Sequence, residues 1–141
     1  MILPDLNVLV YAFRQESLRH QDYREWLLQA VNGDEPLGLC DAVVSGFLRI
    51  VTHPKVFSPP SALEGAIAFT EALRSSAVCR LVVPGDRHWR LFLDLCRRAS
   101  ARGNLVSDAY LAALAIESGG EWITTDGDFA RFAGLRWRRP F

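Results

Sequence analysis

Lysine is almost missing from this chain. Of sixteen basic residues only Lys55 is a lysine, and the rest are arginines. GC-rich coding accounts for such a bias, and arginine's planar fork also suits phosphate. Formal charge balances to zero, so no global field draws the protein to nucleic acid. Only three cysteines are present, Cys40, Cys79 and Cys96. They are odd in number, lack metal-ligand spacing and sit in apolar surroundings. The odd number and the spacing argue against a disulfide framework and a thiolate metal site, and buried free thiols are expected. No apolar run approaches the roughly 18–20 residues of a membrane span, and the N-terminus lacks the features of a signal peptide. A cytoplasmic protein without membrane contact is expected. Repeats, low-complexity stretches and linkers are absent too. The 141 residues, half of them apolar, therefore read as a single domain, 1–141, large enough to bury its own core.

Four aspartates stand beside apolar runs, where a carboxylate is poorly solvated. Asp5 lies between Met1–Pro4 and Leu6–Tyr11. Asp126 follows Trp122–Thr125, with Asp128 two residues on, and Asp108 lies two-thirds along the chain. Brought together, they would form an acidic cluster of the kind that holds a divalent cation.

Periodicity predicts how they could meet. Residues 1–4 read as a short buried strand and 6–13 as a helix. Tyr23, Trp26, Leu27, Ala30 and Val31 mark an amphipathic helix over 20–31. A strand at 36–40 leads to a helix at 42–51, with Asp41 as a candidate cap. Ser61 and Glu64 suggest a capping box opening a helix that runs to Ser75. A β-rich run at 79–83 precedes a helix capped by Asp86, whose Trp89, Leu93 and Cys96 should face the core, and which Gly103 closes. A helix at 106–117 and strands at 121–125 and 135–138 complete the chain. Helices and short apolar strands alternate, so the class is α/β with a mainly parallel sheet. Ligands in such sheets bind beyond the carboxyl ends of the strands, where strand order reverses. Neighbouring strands lie about 4.8 Å apart. Asp5 and Asp126 would share one cation if their strands are adjacent.

Each acid has a plainer explanation. Asp5 could simply cap the following helix. Asp108 could complement the helix dipole from a first turn capped by Ser107. Asp126-Gly127 is a good turn, and Asp128 a plausible cap for Phe129–Arg131. None is specific alone.

Their order and surroundings are more telling. Asp5–Ala12 (DLNVLVYA), Asn104–Ala115 (NLVSDAYLAALA) and Thr124–Phe129 (TTDGDF) resemble the first, third and fourth acidic motifs of PIN-domain proteins of the VapC toxin type. The segment Gly46–Phe57 is similar to one branch of these toxins. The resemblance spans nearly the whole chain. It implies a three-layer α/β/α fold around a mainly parallel sheet. It also implies a Mg²⁺-dependent endoribonuclease, with Mn²⁺ able to substitute, acting on an RNA substrate. The toxin of such a type II pair is restrained by a cognate antitoxin, and a homodimer is expected. Carried over by position, Asp5, Asp108 and Asp126 are the catalytic metal ligands, with Asp128 a further candidate through water. Asn7 and Thr125 would orient the carboxylates. Arg14, Arg49, Arg97 and Arg98 are candidates for holding RNA.

One position departs from the family pattern. Many PIN domains carry a glutamate a few residues before an arginine in the helix after the second strand; here Gly46 stands before Arg49. One fewer carboxylate favours one cation over two. It also leaves open a scaffold with weakened catalysis that binds RNA or a partner. A phosphatase of the haloacid-dehalogenase kind is disfavoured, because Asn7 stands where its second aspartate would be and Lys55 has no matching context. No histidine is needed by the chemistry, and surface or turn roles are expected for His20, His53 and His88.

Overall fold

Five strands lie side by side in the order Cys79–Leu81, Leu37–Leu39, Ile2–Pro4, Glu121–Ile123, Trp137–Arg138, and every neighbouring pair is parallel. A computed structural model describes all residues, 1–141. The strands are β1 (Ile2–Pro4), β2 (Leu37–Leu39), β3 (Cys79–Leu81), β4 (Glu121–Ile123) and β5 (Trp137–Arg138). The helices are α1 (Leu6–Phe13), α2 (His20–Asn32), α3 (Asp41–Val51), α4 (Leu63–Arg74), α5 (His88–Arg98) and α6 (Asn104–Ser118). A 3₁₀ turn, Gly127–Arg131, follows β4.

Strand order fixes where a ligand can sit. The chain runs from β1 outward to β3, then crosses back to β4 on the far side of β1. Right-handed crossovers place α1–α4 on one face and α5–α6 on the other. The contacts agree: α1 touches α2 and α3, α3 touches α4, and α5 packs on α6. Strand order therefore reverses between β1 and β4, whose register pairs Leu3 with Trp122 and Pro4 with Ile123. Their carboxyl ends carry Asp5 and Thr124–Asp126.

β1 and β2 are short and wholly buried, as strands at the centre of a parallel sheet are expected to be. Leu3, Leu9, Leu37, Leu39, Phe47, Leu114, Trp122 and Ile123 fill the centre. Phe13, Phe47 and Phe69 meet at ring centroids 5.0–5.3 Å apart and tie α1, α3 and α4 together. α6 ends where Gly119 takes φ +68, a left-handed cap that suits glycine. Gly120 follows against Leu3, where a Cβ would collide, so α6 can enter β4 beside β1.

Several helix starts differ from the sequence expectation. Ser61 is not an N-cap; α4 begins at Leu63, and the Ser61 hydroxyl accepts from Arg14 at 2.7 Å. Asp86 caps nothing either. The amides of Gly85 and Arg87 donate to the Glu117 carboxylate of α6, at 2.7 and 2.9 Å. A long-range partner has replaced the local cap. Asp41 is already inside α3 and pairs with Arg74 of α4. α5 stops at Arg98, and Gly103, at φ +58, precedes α6 instead of closing α5. Two residues of α5 exchange places: Trp89 is 64% exposed, whereas His88 is 3% exposed. His88 Nε2 lies 3.0 Å from the Tyr110 carbonyl oxygen. A carbonyl only accepts, so Nε2 carries a proton, and this bond is what lets a histidine sit in the core. Of the cysteines, only Cys40 is fully buried, and all three are free. No helix is long and apolar enough to cross a membrane.

Candidate metal centre

β1 ends in Pro4 and delivers Asp5 to the lip of the sheet. Its amide donates to Ile123 of β4 at 2.8 Å, continuing the ladder for one more residue. Asp5 Oδ1 then accepts from the Leu6 amide at 2.7 Å, so the residue does cap α1. Its other oxygen faces the strand reversal. Asp5 Oδ2 accepts from the Thr124 hydroxyl at 2.6 Å and from Asn7 Nδ2 at 2.9 Å. The cap and the site role therefore coexist on separate oxygens. Asp5 is 6% exposed. Burial raises its pKa above the ordinary aspartate value, against the pull of the Thr124, Leu6 and Asn7 bonds.

Asn7 and Thr124 stitch β1 to β4. Asn7 Nδ2 also donates to Thr124 Oγ1 at 3.0 Å, and Asn7 Oδ1 accepts from the Thr125 amide at 3.3 Å. Thr124 Oγ1 further accepts from the Asp126 amide at 3.0 Å. Thr124, fully buried, thus orients both Asp5 and the Asp126 backbone. Sequence reasoning assigned this task to Thr125, which takes part only through its amide. Register would have corrected it: Pro4 pairs with Ile123, so Asp5 stands opposite Thr124.

Asp108 approaches from α6. The helix starts at Asn104, so Asp108 lies more than one turn inside it and the first turn holds no acid. Complementing the helix dipole, an effect confined to that turn, does not explain it. Its pKa is raised to about 6, first by burial and then by the charges of Asp126, Asp5 and Asp128. Nothing acts to lower it, so the ionised form has no local compensation.

Asp126 is exposed beyond β4. One of its oxygens accepts from the Asp128 amide at 2.8 Å, which makes Asp126 and not Asp128 the cap of the 3₁₀ turn. Asp128 points outward to Arg131 at 3.4 Å and does not line the cleft.

Asp5, Asp108 and Asp126 all line one cleft of about 730 Å³. No three histidine, cysteine, aspartate or glutamate side chains converge into a ready-made metal cage. Like charges repel, and half of Asp126 is engaged in its own turn. The donor chemistry nevertheless fits a hard divalent cation: three carboxylates, one of them, Asp108, raised first by burial and then by its neighbours' charges and left without a hydrogen-bond donor. Gly46 lines the same cleft. A Cβ there would meet only Leu6, at 3.8 and 3.9 Å, so space does not demand the glycine.

The arginines divide. Arg49 is exposed on the α3 wall of the cleft. Arg14 lies outside the cleft: its side chain, 11% exposed, is held by Ser61, Glu16 and the Pro59 carbonyl and lies 4.2 Å over the Phe57 ring. Arg97 and Arg98 lie outside the cleft, Arg97 beside Arg87 and Arg90, Arg98 paired with Asp94 at 3.0 Å.

Comparison with known proteins places this arrangement. The model of the PIN domain matches residues 2–135. A VapC ribonuclease of Mycobacterium bovis is 44% identical over 140 residues, covering 99% of this chain and 95% of the relative. Ribonuclease VapC25 of Mycobacterium tuberculosis is 38% identical over 140 residues and covered to 99%, as is this chain. Among solved structures, VapBC2 from Rickettsia felis, bound to a promoter DNA fragment, superimposes with a TM-score of 0.71 at 18% identity, over 99% of this chain and 98% of that one. VapC20 of Mycobacterium tuberculosis, a toxin that cleaves the sarcin–ricin loop, gives 0.66 at 18% identity, over 96% and 99%. Those two show a shared fold; the matched domain and the two sequence relatives show descent. The chain belongs to the PIN-domain family, in its VapC ribonuclease branch.

Proposed function

We propose that the protein is a metal-dependent endoribonuclease and the toxic half of a toxin–antitoxin pair. The observation that carries this reading is the meeting of Asp5, Asp108 and Asp126 in one cleft at the strand reversal, with Asp108 raised and uncompensated. In a chain 44% identical to a VapC ribonuclease, that is where a cation would be held to act on RNA.

Asp5, Asp108 and Asp126 would hold Mg²⁺, with Mn²⁺ able to substitute. A bound divalent cation supplies a more acidic water and neutralises charge on the phosphate under attack. The chain's own residues do the rest. Asn7 and Thr124 fix the Asp5 carboxylate so that its oxygens do not rotate away from the cleft. Arg49 stands on the α3 wall, where it would bind a backbone phosphate. With no histidine in the cleft, carboxylates are the only groups there able to accept a proton. Solved relatives include a VapBC pair, and an antitoxin is the partner expected for this chain as well.

Incubation of the purified protein with bacterial RNA tests the reading. Cleavage with Mg²⁺ that stops in chelator and returns with excess cation is expected. Cleavage unaffected by chelator would overturn the metal assignment. The rival reading, a binding scaffold with weakened catalysis, rests on Gly46; RNA binding with no cleavage at millimolar Mn²⁺ would establish it.

A further inference from the structure

Trp89 is the one tryptophan of four on the open surface; Trp122 is fully buried, and Trp26 and Trp137 pack on the core. It stands one turn before Phe92 on α5, and residues at that spacing are neighbours on a helix face. The two rings lie 5.5 Å apart, tilted by 57°. Phe92 in turn meets Tyr110 of α6 edge-on at 5.6 Å. Phe92 and Tyr110 line the same cleft as the three aspartates. The rings therefore form a continuous chain from Tyr110 and Phe92, which line the cleft, to the exposed indole of Trp89 next to it on α5.

The strip is anchored from beneath. His88 is buried, its ring 4.4 Å from Tyr110 and its Nε2 proton on the Tyr110 carbonyl. Such a mount costs an exposed ring little further entropy when something stacks on it. The cleft's other features narrow what that is. The acids favour a cation and so a phosphate, and Arg49 on the α3 wall favours a phosphate too. A nucleotide seated there has its base to place, and a single strand presents that base unpaired.

We infer that Trp89, with Phe92 behind it, is a shelf on which a base of single-stranded RNA stacks beside the cleft. This rests on the ribonuclease reading, and it names a contact that tunes which RNA is held. Trp89 is a positioning residue; it touches no reacting atom.

Tryptophan fluorescence tests it, with poly(U) as probe and Ca²⁺ in place of Mg²⁺, so that the acids keep a cation while the RNA stays uncut. Poly(U) should quench the wild-type protein. Trp89→Phe should lose most of the quenching and bind within about threefold of wild type, because the ring is conserved. Trp89→Ala should bind about tenfold more weakly, the effect of losing one stacked base. In cleavage assays KM should rise while kcat changes little. Undiminished quenching in Trp89→Phe, or unchanged affinity in Trp89→Ala, overturns the shelf. So does a Trp89→Ala protein that passes from dimer to monomer, which would assign the face to a second copy of the chain. A wild-type protein that is quenched yet cuts no RNA keeps the shelf and removes the ribonuclease reading. One that cuts RNA while Trp89→Ala binds normally does the reverse.

Discussion

The Thr124 hydroxyl donates to Asp5 Oδ2 at 2.6 Å, joining residues 119 positions apart in sequence across the β1–β4 reversal. Thr124 Oγ1 in turn accepts from the Asp126 amide. One side chain therefore sets the direction of two of the three acids in the cleft. Partners of this kind around metal ligands typically contribute about 10–100-fold to affinity or activity. Thr124→Val should weaken Mn²⁺ binding and RNA cleavage by that order, while Thr124→Ser keeps both. Calorimetric Mn²⁺ titration of the two variants is the check. A loss in Thr124→Ser with none in Thr124→Val would mean that the methyl group, not the hydroxyl, matters.

Stability should depend on pH through Asp108. Its folded-state pKa, about 6, lies above its unfolded value. The folded state then binds the proton more tightly, so stability falls as pH rises from about 4 to about 6 and stays lower above. Burial of Asp5 acts in the same direction. Because Asp108 is partly exposed, solvent screening limits the effect to about 1 kcal/mol, or roughly 3 °C in Tm. In chelator, Asp108→Asn should melt higher than wild type near pH 8 and converge with it near pH 4, on the same linkage. A lower melting point for Asp108→Asn near pH 8 would mean that the carboxylate is compensated after all.

Much of this was legible in the sequence, and the limits follow from range. Strands and helices came from local periodicity, and Asp5, Asp108 and Asp126 from acids beside apolar runs. What local pattern could not show was substitution by distant partners. Glu117 takes over the start of α5 from Asp86, and Arg14 takes the Ser61 hydroxyl out of capping. Arg14 itself looked like a free guanidinium and is pinned between loops. His88 and Trp89 differ by one residue, which is 100° around a helix, and α5 is amphipathic enough for that angle to reverse their burial. Thr124 rather than Thr125 followed from strand register, which pairing decides and composition does not.

Gly46 offers a gain-of-function test. The site has room for a side chain, and leaving glycine behind in a helix interior is worth about 0.5–1 kcal/mol. Gly46→Glu should therefore fold at least as well in the presence of Mg²⁺. A further carboxylate in the cleft should raise Mn²⁺ affinity by about tenfold or admit a second ion, since affinity follows ligand charge. Calorimetry would read either result as a tighter or a two-site isotherm. An unchanged isotherm in a folded variant would place position 46 out of reach of the cation.

Arg14 and Arg49 should separate cleanly. Arg49→Ala should weaken RNA binding and lower the salt slope by about one, as expected when one phosphate contact is lost. Arg14→Ala should leave both unchanged at matched salt. It should instead cost stability, about 1–2 kcal/mol, through lost packing on Phe57 and a lost bond to Ser61. Salt-dependent RNA titrations beside urea melts distinguish the two. An Arg14→Ala protein with normal stability and weak RNA binding would reverse the assignment.

Asp5, Asp108 and Asp126 together should hold one divalent cation. Electron paramagnetic resonance of Mn²⁺ measures this directly, because bound ion leaves the sharp aqueous signal. Wild-type protein should remove about one equivalent, as a single carboxylate cleft would. Folded Asp108→Asn should remove almost none at the same concentrations. Equal removal of Mn²⁺ by wild type and Asp108→Asn would contradict the account.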